Sequence, residues 1–265
     1  MTTAPAPAPS PLGRAYWLLA DSAVLTARSL RHNLRQFDAL LLSVILPLTL
    51  LLMFVYVFGG ALHVGTAYID YVVPGILISA AGYAASQTAV AFSQDLTSGA
   101  IDRFRSLPMS SAALLTGHVT ASLLRNLLST LLVLGTAVAI GFSPATDPLA
   151  WIAALGTIAL YILAICWISI AFGTIARSAE GASGFTFFVL FLPYVSSAYV
   201  PPDTMPAALR PFAEHQFVTP VIETLRGLLL GTPTDSAPAA LAWCLGILAV
   251  TVPASAYLFR RRTRA

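Results

Sequence analysis

Few residues in this 265-residue chain have side chains able to do chemistry. Its 14 basic residues are all arginine, set against 11 acidic residues, four histidines and two cysteines. The absence of lysine removes two chemistries at once, a phosphate-binding loop ending in lysine and a lysine Schiff base. Any use of ATP therefore needs a second chain. Cys166 and Cys244 lie in apolar runs and read as small buried hydrophobes. His32, His63, His118 and His215 are scattered with no metal-ligand spacing, and read as ordinary polar residues. No histidine, carboxylate and nucleophile converge at one depth, which argues against an intramembrane enzyme. No acidic residue sits deep in an apolar run, which argues against a proton-relay transporter.

One polar stretch is patterned: Asp95-Leu-Thr-Ser-Gly-Ala-Ile-Asp-Arg-Phe-Arg-Ser-Leu-Pro-Met109. Asp95 and Ser98 can cap the start of a short helix, and Pro108 can end it. Ile101 and Phe104 give that helix an apolar side, and Asp102, Arg103 and Arg105 a charged side. A plain turn has no need of this pattern. An amphipathic helix suits insertion into a groove on a partner.

The elements that must carry this stretch are apolar. The chain is 57% hydrophobic and 9% charged, against about a quarter charged in a soluble domain. Lipid accommodates such a composition because apolar side chains can face outwards. Six stretches are long enough to cross a bilayer: Ala39–Phe58, Tyr71–Phe92, Leu123–Ile140, Leu149–Ile175, Ala182–Val200 and Ala239–Phe259. Gly and Pro fall between most of them, and no strand alternation is present, so the expected fold is an all-α membrane protein with six transmembrane helices. Residues 1–13, rich in Ala and Pro, are expected to be a disordered tail. Residues 14–37 are expected to form an interfacial amphipathic elbow helix. Tyr16, Leu19, Ala23, Ala27, Leu30, Leu34 and Phe37 share one face of it, opposite Asp21, Arg28, Arg31, His32 and Arg35. Residues 38–265 make the membrane domain.

Arginine placement sets the expected orientation. Arg14, Arg28, Arg31, Arg35, Arg103, Arg105, Arg177, Arg260, Arg261, Arg262 and Arg264 fall on one side of a six-span plan, and Arg210 and Arg226 on the other. The positive-inside rule then puts both termini in the cytoplasm, in a multi-pass cell-membrane protein. Arg125 lies within a span, with snorkelling or a pair with Asp95 or Asp102 as its two readings. Pro201–Pro238 is too long for a tight turn and contains an apolar patch, Phe217–Leu230, too short to span. A re-entrant hairpin on the outer side fits, with helix stops expected at Pro220 and Gly231 and a Glu223–Arg226 pair on one face. Pro47, Pro74, Pro193 and Pro253 lie within spans as static bends or hinges. Gly181 and Gly184 allow close helix approach, within one chain or between two. Tyr56, Tyr83, Gln87, Tyr194 and Ser197, with Ser196 and Tyr199, are the polar groups available to a pathway for an amphiphile, or to interfacial belts and helix packing.

The run Gly99, Asp102, Arg103, Phe104, Arg105, Ser106, Leu107, Pro108, Met109 resembles the coupling-helix signature of type-2 ATP-binding-cassette (ABC) exporter permeases, above all the daunorubicin-resistance branch. Val200-Pro-Pro-Asp-Thr-Met-Pro206 and Phe217-Val-Thr-Pro-Val221, followed by Arg226 and Gly231, resemble that family's outer hairpin. Phe217 stands where many relatives carry proline. The resemblance implies a homodimer of permease chains, with spans one and five at its seam, powered by separate ABC ATPase chains that bind ATP and Mg. It implies that Thr97, Gly99, Ile101, Asp102, Arg103, Phe104 and Arg105 couple to the ATPase. The implied function is export of a hydrophobic or amphiphilic small molecule, drug or antibiotic-like, by a chain that is not itself an enzyme. A lipid-linked glycan or lipid is the alternative cargo, and a membrane assembly or sensor protein without transport the alternative class. No nucleic-acid partner is implied.

Overall fold

The computed structural model describes residues 37–62, 64–98, 111–145 and 147–262. The described elements are helical. Helix α1 (Phe37–Leu52) runs into a π-helical turn (Met53–Phe58). Then come α2 (Tyr68–Thr97), α3 (Ser111–Ala139), α4 (Pro148–Ile175) and α5 (Ala179–Phe191), which tightens into a 3-10 turn (Leu192–Val195). A 3-10 turn (Pro202–Thr204), the short α6 (Arg210–His215), α7 (Val218–Leu230) and α8 (Ala237–Arg262) complete the chain. Four of these, α2, α3, α4 and α8, are long and apolar enough to cross a membrane. The amphipathic helix expected over 14–37 lies outside the described residues, apart from Phe37 at the start of α1.

Helix α2 is the core. It packs against α1, α3, α4, α5 and α7, whereas α8 leaves most of its surface outwards. Its buried face is built from small residues, among them Gly75, Ala81, Gly82, Ala84, Ala85 and Ala89, which let neighbouring backbones come close. At Gly75 the approach is extreme: a Cβ there would stand 2.3 Å from the carbonyl oxygen of Ala198. Hydroxyls bridge the helices where they meet. Ser169 donates to the Ala85 carbonyl (3.3 Å), Thr186 to that of Ser86 (3.4 Å), and Ser255 to that of Trp167 (3.2 Å). Such bonds are worth about 0.6–2 kcal/mol each in lipid, and they fix which faces meet.

Local chemistry sets the helix ends. Asp147 caps α4 by accepting from the Leu149 N–H (3.2 Å), with Pro148 in the first turn. Helix α5 ends earlier than the apolar run, which continues to Val200. Pro193 supplies no N–H, and Ser196 turns its hydroxyl onto the Pro193 carbonyl (2.6 Å) while accepting from the Ala198 N–H (3.1 Å). Gln216 then donates to the freed carbonyls of Leu192 (3.2 Å) and Val195 (2.6 Å). Helix α7 stops at Gly231, whose φ of +68° suits glycine. Pro220 does not stop a helix. It sits in the first turn of α7, where a missing N–H costs nothing.

The expected Glu223–Arg226 pair forms, at 2.6 Å, but it is one part of a larger clasp. Arg226 is 9% exposed. It donates to the Tyr71 carbonyl through Nε (3.2 Å) and Nη2 (3.0 Å) and to the Ser197 carbonyl through Nη2 (2.8 Å), and it stacks 3.9 Å above the Tyr71 ring. One guanidinium thus ties α7, the start of α2 and the linker after α5. We expect Arg226→Ala to cost about 2–4 kcal/mol, because two carbonyls and a carboxylate lose their donor. Thermal unfolding in detergent would show a clearly lower midpoint; an unchanged midpoint would remove Arg226 from this role.

Candidate functional site

The helices define two ends. At one, α2 begins beside the clasp and the turns around Ser196–Tyr199. At the other, α2, α4 and α8 terminate and α3 and α5 begin. The second end carries Arg177, Arg260, Arg261 and Arg262, the first Arg210 and Arg226.

At the arginine end, Thr97 is the last residue of α2. Its hydroxyl bonds back to the carbonyls of Ser93 (3.0 Å) and Gln94 (3.2 Å). Gly99, Ile101, Asp102, Arg103, Phe104 and Arg105 lie outside the described residues. Asp95 does not start a new helix: it belongs to the last turn of α2, and Ser98 is that helix's C-cap. The Asp95 carboxylate meets His118 Nε2 of α3 at 3.2 Å. The His118 ring stands edge-on to Phe92 at 5.3 Å, and Phe92 lies 6.0 Å from Phe259 of α8. The two helices that flank segment 99–110 are therefore held together at its base. His118 was not singled out by the sequence, since no spacing rule links residues 95 and 118 across two helices.

Further in, Thr88, Ser122 and Cys166 form a buried cluster joining α2, α3 and α4. Thr88 and Ser122 are 2.7 Å apart, and the Cys166 thiol donates to Ser122 at 3.3 Å. Asn126 Nδ2 donates to Ser122 (3.1 Å), while its Oδ1 is buried without a hydrogen-bond partner. Cys166 and Cys244 are both buried free thiols, as expected. Arg125, one residue away, is half-buried; among the described residues no carboxylate lies within ion-pair distance of it, and Asp95 pairs with His118.

The residues proposed for a pathway are spread over the fold. Tyr194 (40% exposed) stacks on Tyr199 at 4.9 Å, and Tyr199 stacks on Phe54 of the π turn at 4.3 Å. Ser196 and Ser197 are buried beneath, and the Tyr199 hydroxyl reaches Ser79 (3.1 Å). Tyr83 and Gln87 are half-buried one turn apart on α2, and Tyr56 is 66% exposed on the π turn. No hydrogen bond or ring contact among the described residues joins Tyr56, Tyr83 or Gln87 to the Tyr194–Tyr199 group.

An apolar groove of about 530 Å³ runs between α4 and α5, lined by Ile165, Ile168, Phe172, Gly181, Gly184, Phe185, Phe188, Val189, Leu192 and Phe217. Among the described residues, Gly181 and Gly184 have no close helix neighbour: a Cβ on Gly184 would meet nothing within 4 Å, and one on Gly181 only the Ser178 hydroxyl at 3.7 Å. Beside the groove, Phe187, Phe188 and Phe191 are each 60–61% exposed. The sequence signal for this face was the small residues at the start of α5.

Known proteins are similar to this chain in sequence. The chain is 28% identical over 233 residues to the daunorubicin resistance ABC transporter permease protein DrrB1 of Streptomyces coeruleorubidus, covering 86% of this chain and 82% of that one. It is 26% identical over 264 residues to the probable doxorubicin resistance ABC transporter permease protein DrrC of Mycobacterium tuberculosis (strain CDC 1551 / Oshkosh and strain H37Rv), covering 97% of this chain and 95% of the relative. The ABC-2 type transporter family matches residues 22–230, a stretch that takes in the polar segment after α2, the groove of α4 and α5, and the Arg226 clasp. The protein belongs to the ABC-2 type transporter family and is a multi-pass, all-helical membrane protein of that family.

Proposed function

We propose that this chain is the transmembrane permease subunit of an ATP-driven exporter, in which a separate ABC ATPase binds ATP and Mg and performs the hydrolysis. The observation that carries this reading is the extent of the family match, from residue 22 to residue 230, in a chain with no lysine for a phosphate loop of its own. In this reading the six crossings are α1 with its π turn, α2, α3, α4, α5 with its 3-10 turn, and α8. Helices α6 and α7 form a re-entrant hairpin on the outer side. Both termini are cytoplasmic, in keeping with Arg177 and Arg260–Arg262 at one end of the helices. The cargo is a hydrophobic or amphiphilic drug-like molecule, a reading supported by relatives named for daunorubicin and doxorubicin resistance.

Thr97, Gly99 and Ile101 to Arg105 enter the ATPase cleft and carry its closure into α2 and α3. The Asp95–His118 contact supports this, because a push on segment 99–110 then reaches two helices as one unit. Nucleotide binding in the partner biases inward- and outward-open states, and the permease contributes conformation rather than chemistry. Substituting both Asp102→Ala and Arg103→Ala should lower ATP-dependent transport in vesicles at least tenfold while membrane insertion stays normal. Transport at the wild-type rate would contradict the coupling assignment.

The second copy of the permease packs on the α5 face. A large apolar groove floored by two glycines that no described residue fills supports this seam. Filling it with Gly184→Trp should weaken self-association at least tenfold, about 1.4 kcal/mol. Light scattering of the purified chain in mild detergent reads this directly, and a Gly184→Trp chain as dimeric as wild type would rule the seam out.

A further inference from the structure

Helices α4 and α8 finish side by side, and their last turns border a second, open groove of about 350 Å³, lined by Thr174, Ile175, Arg177, Leu258, Arg261 and Arg262. We propose that this groove binds the head group of an anionic phospholipid, with Arg177 and Arg261 as its phosphate ligands.

The three arginines have different work. Arg262 is already committed: its Nη1 donates to the carbonyls of Gly173 (3.5 Å), Thr174 and Ala176 (2.7 Å), the last acceptors of α4. This caps the helix and neutralises the negative end of its dipole, which would otherwise repel an anion at this spot. Arg177 and Arg261 are exposed, and among the described residues neither has a carboxylate within ion-pair distance. The sequence offers little to neutralise them. No acidic residue occurs between Pro148 and Ala179, nor after Ser236. The nearest acid along the chain, Glu180, is exposed in the first turn of α5.

The walls select a lipid over a free anion. Ile175 is 63% exposed and Leu258 half-buried, so the arginines sit at the rim of an apolar surface. Tyr257, 65% exposed, stands next to Leu258, at the position where an interfacial ring meets head groups. A phosphodiester held by Arg177 and Arg261 would therefore place its acyl chains against Ile175 and Leu258. A positive-inside bias alone asks only for arginine on this side. It does not ask for a basic pocket between two helices with an apolar wall, which is the arrangement that captures acidic head groups.

The test compares the full chain in phosphatidylglycerol and phosphatidylcholine nanodiscs, by thermal midpoint and by native mass spectrometry of retained lipid. Wild type should retain phosphatidylglycerol and melt higher in it. The Arg177→Gln/Arg261→Gln double variant should bind it roughly thirtyfold more weakly while melting normally in phosphatidylcholine. Arg260→Gln, at the same helix end but outside the groove, should retain the lipid. A double variant that retains it as wild type does would overturn the site. Equal loss in Arg260→Gln would also overturn it, since a diffuse surface field would then explain the binding. Millimolar inorganic phosphate raising the midpoint in phosphatidylcholine as much as phosphatidylglycerol does would replace the lipid with a free anion. Should the double variant not insert, the single Arg261→Gln variant carries the same comparison.

Discussion

In the hydrocarbon of a bilayer no water is present to satisfy a backbone N–H or C=O, and every other feature of this chain follows from that condition. With 57% hydrophobic residues, burying apolar side chains cannot distinguish inside from outside. Lipid is as apolar as leucine. Specificity must come from close van der Waals contact and from the few polar groups. That is why α2, the most buried of the four long apolar helices, is rich in glycine, alanine and serine. Leu149, Ile152 and Val250, by contrast, are 68–73% exposed.

The same condition explains how the ends are built. Several carbonyls are answered by a side chain from elsewhere in the fold. Gln216 serves the last carbonyls after α5, Arg262 those of α4, and Arg226 the carbonyls of Tyr71 and Ser197. These polar clasps join elements distant in sequence, while the middle of α2 is held by close packing and by hydroxyl bridges at Ala85, Ser86 and Thr88. A molecule with rigid, hydrogen-bonded ends and a tightly packed central helix can pass a movement from one end to the other.

The sequence carried the helices well and the clasps poorly. Hydropathy and the positions of Pro and Gly located the long apolar helices, because those signals are local. The Glu223–Arg226 contact was legible for the same reason, being three residues apart on one helix. Its other two acceptors were not, since Tyr71 and Ser197 arrive only through the fold. The early end of α5 was hidden because Gln216 and Ser196 act from outside the apolar run. Pro220 was misplaced because proline in a first turn and proline after a last turn look alike in one sequence. Of the residues proposed for coupling, Thr97 lies at the end of α2, near Asp95 and its contact with His118. The residues from Gly99 to Arg105 lie outside the described part of the chain. Of the residues suggested for a pathway, Tyr194 and Ser197 gather with Tyr199 at the clasp end. Tyr56, Tyr83 and Gln87 do not join them.

In the proposed exporter this chain supplies the path, and cargo moves only when a nucleotide-binding partner drives it. The most direct measurement is dye efflux from vesicles holding the purified permease, with and without its co-expressed ABC ATPase, at saturating ATP. Efflux should need both chains and ATP. Efflux by the permease alone, driven by a proton gradient or by no nucleotide at all, would contradict it.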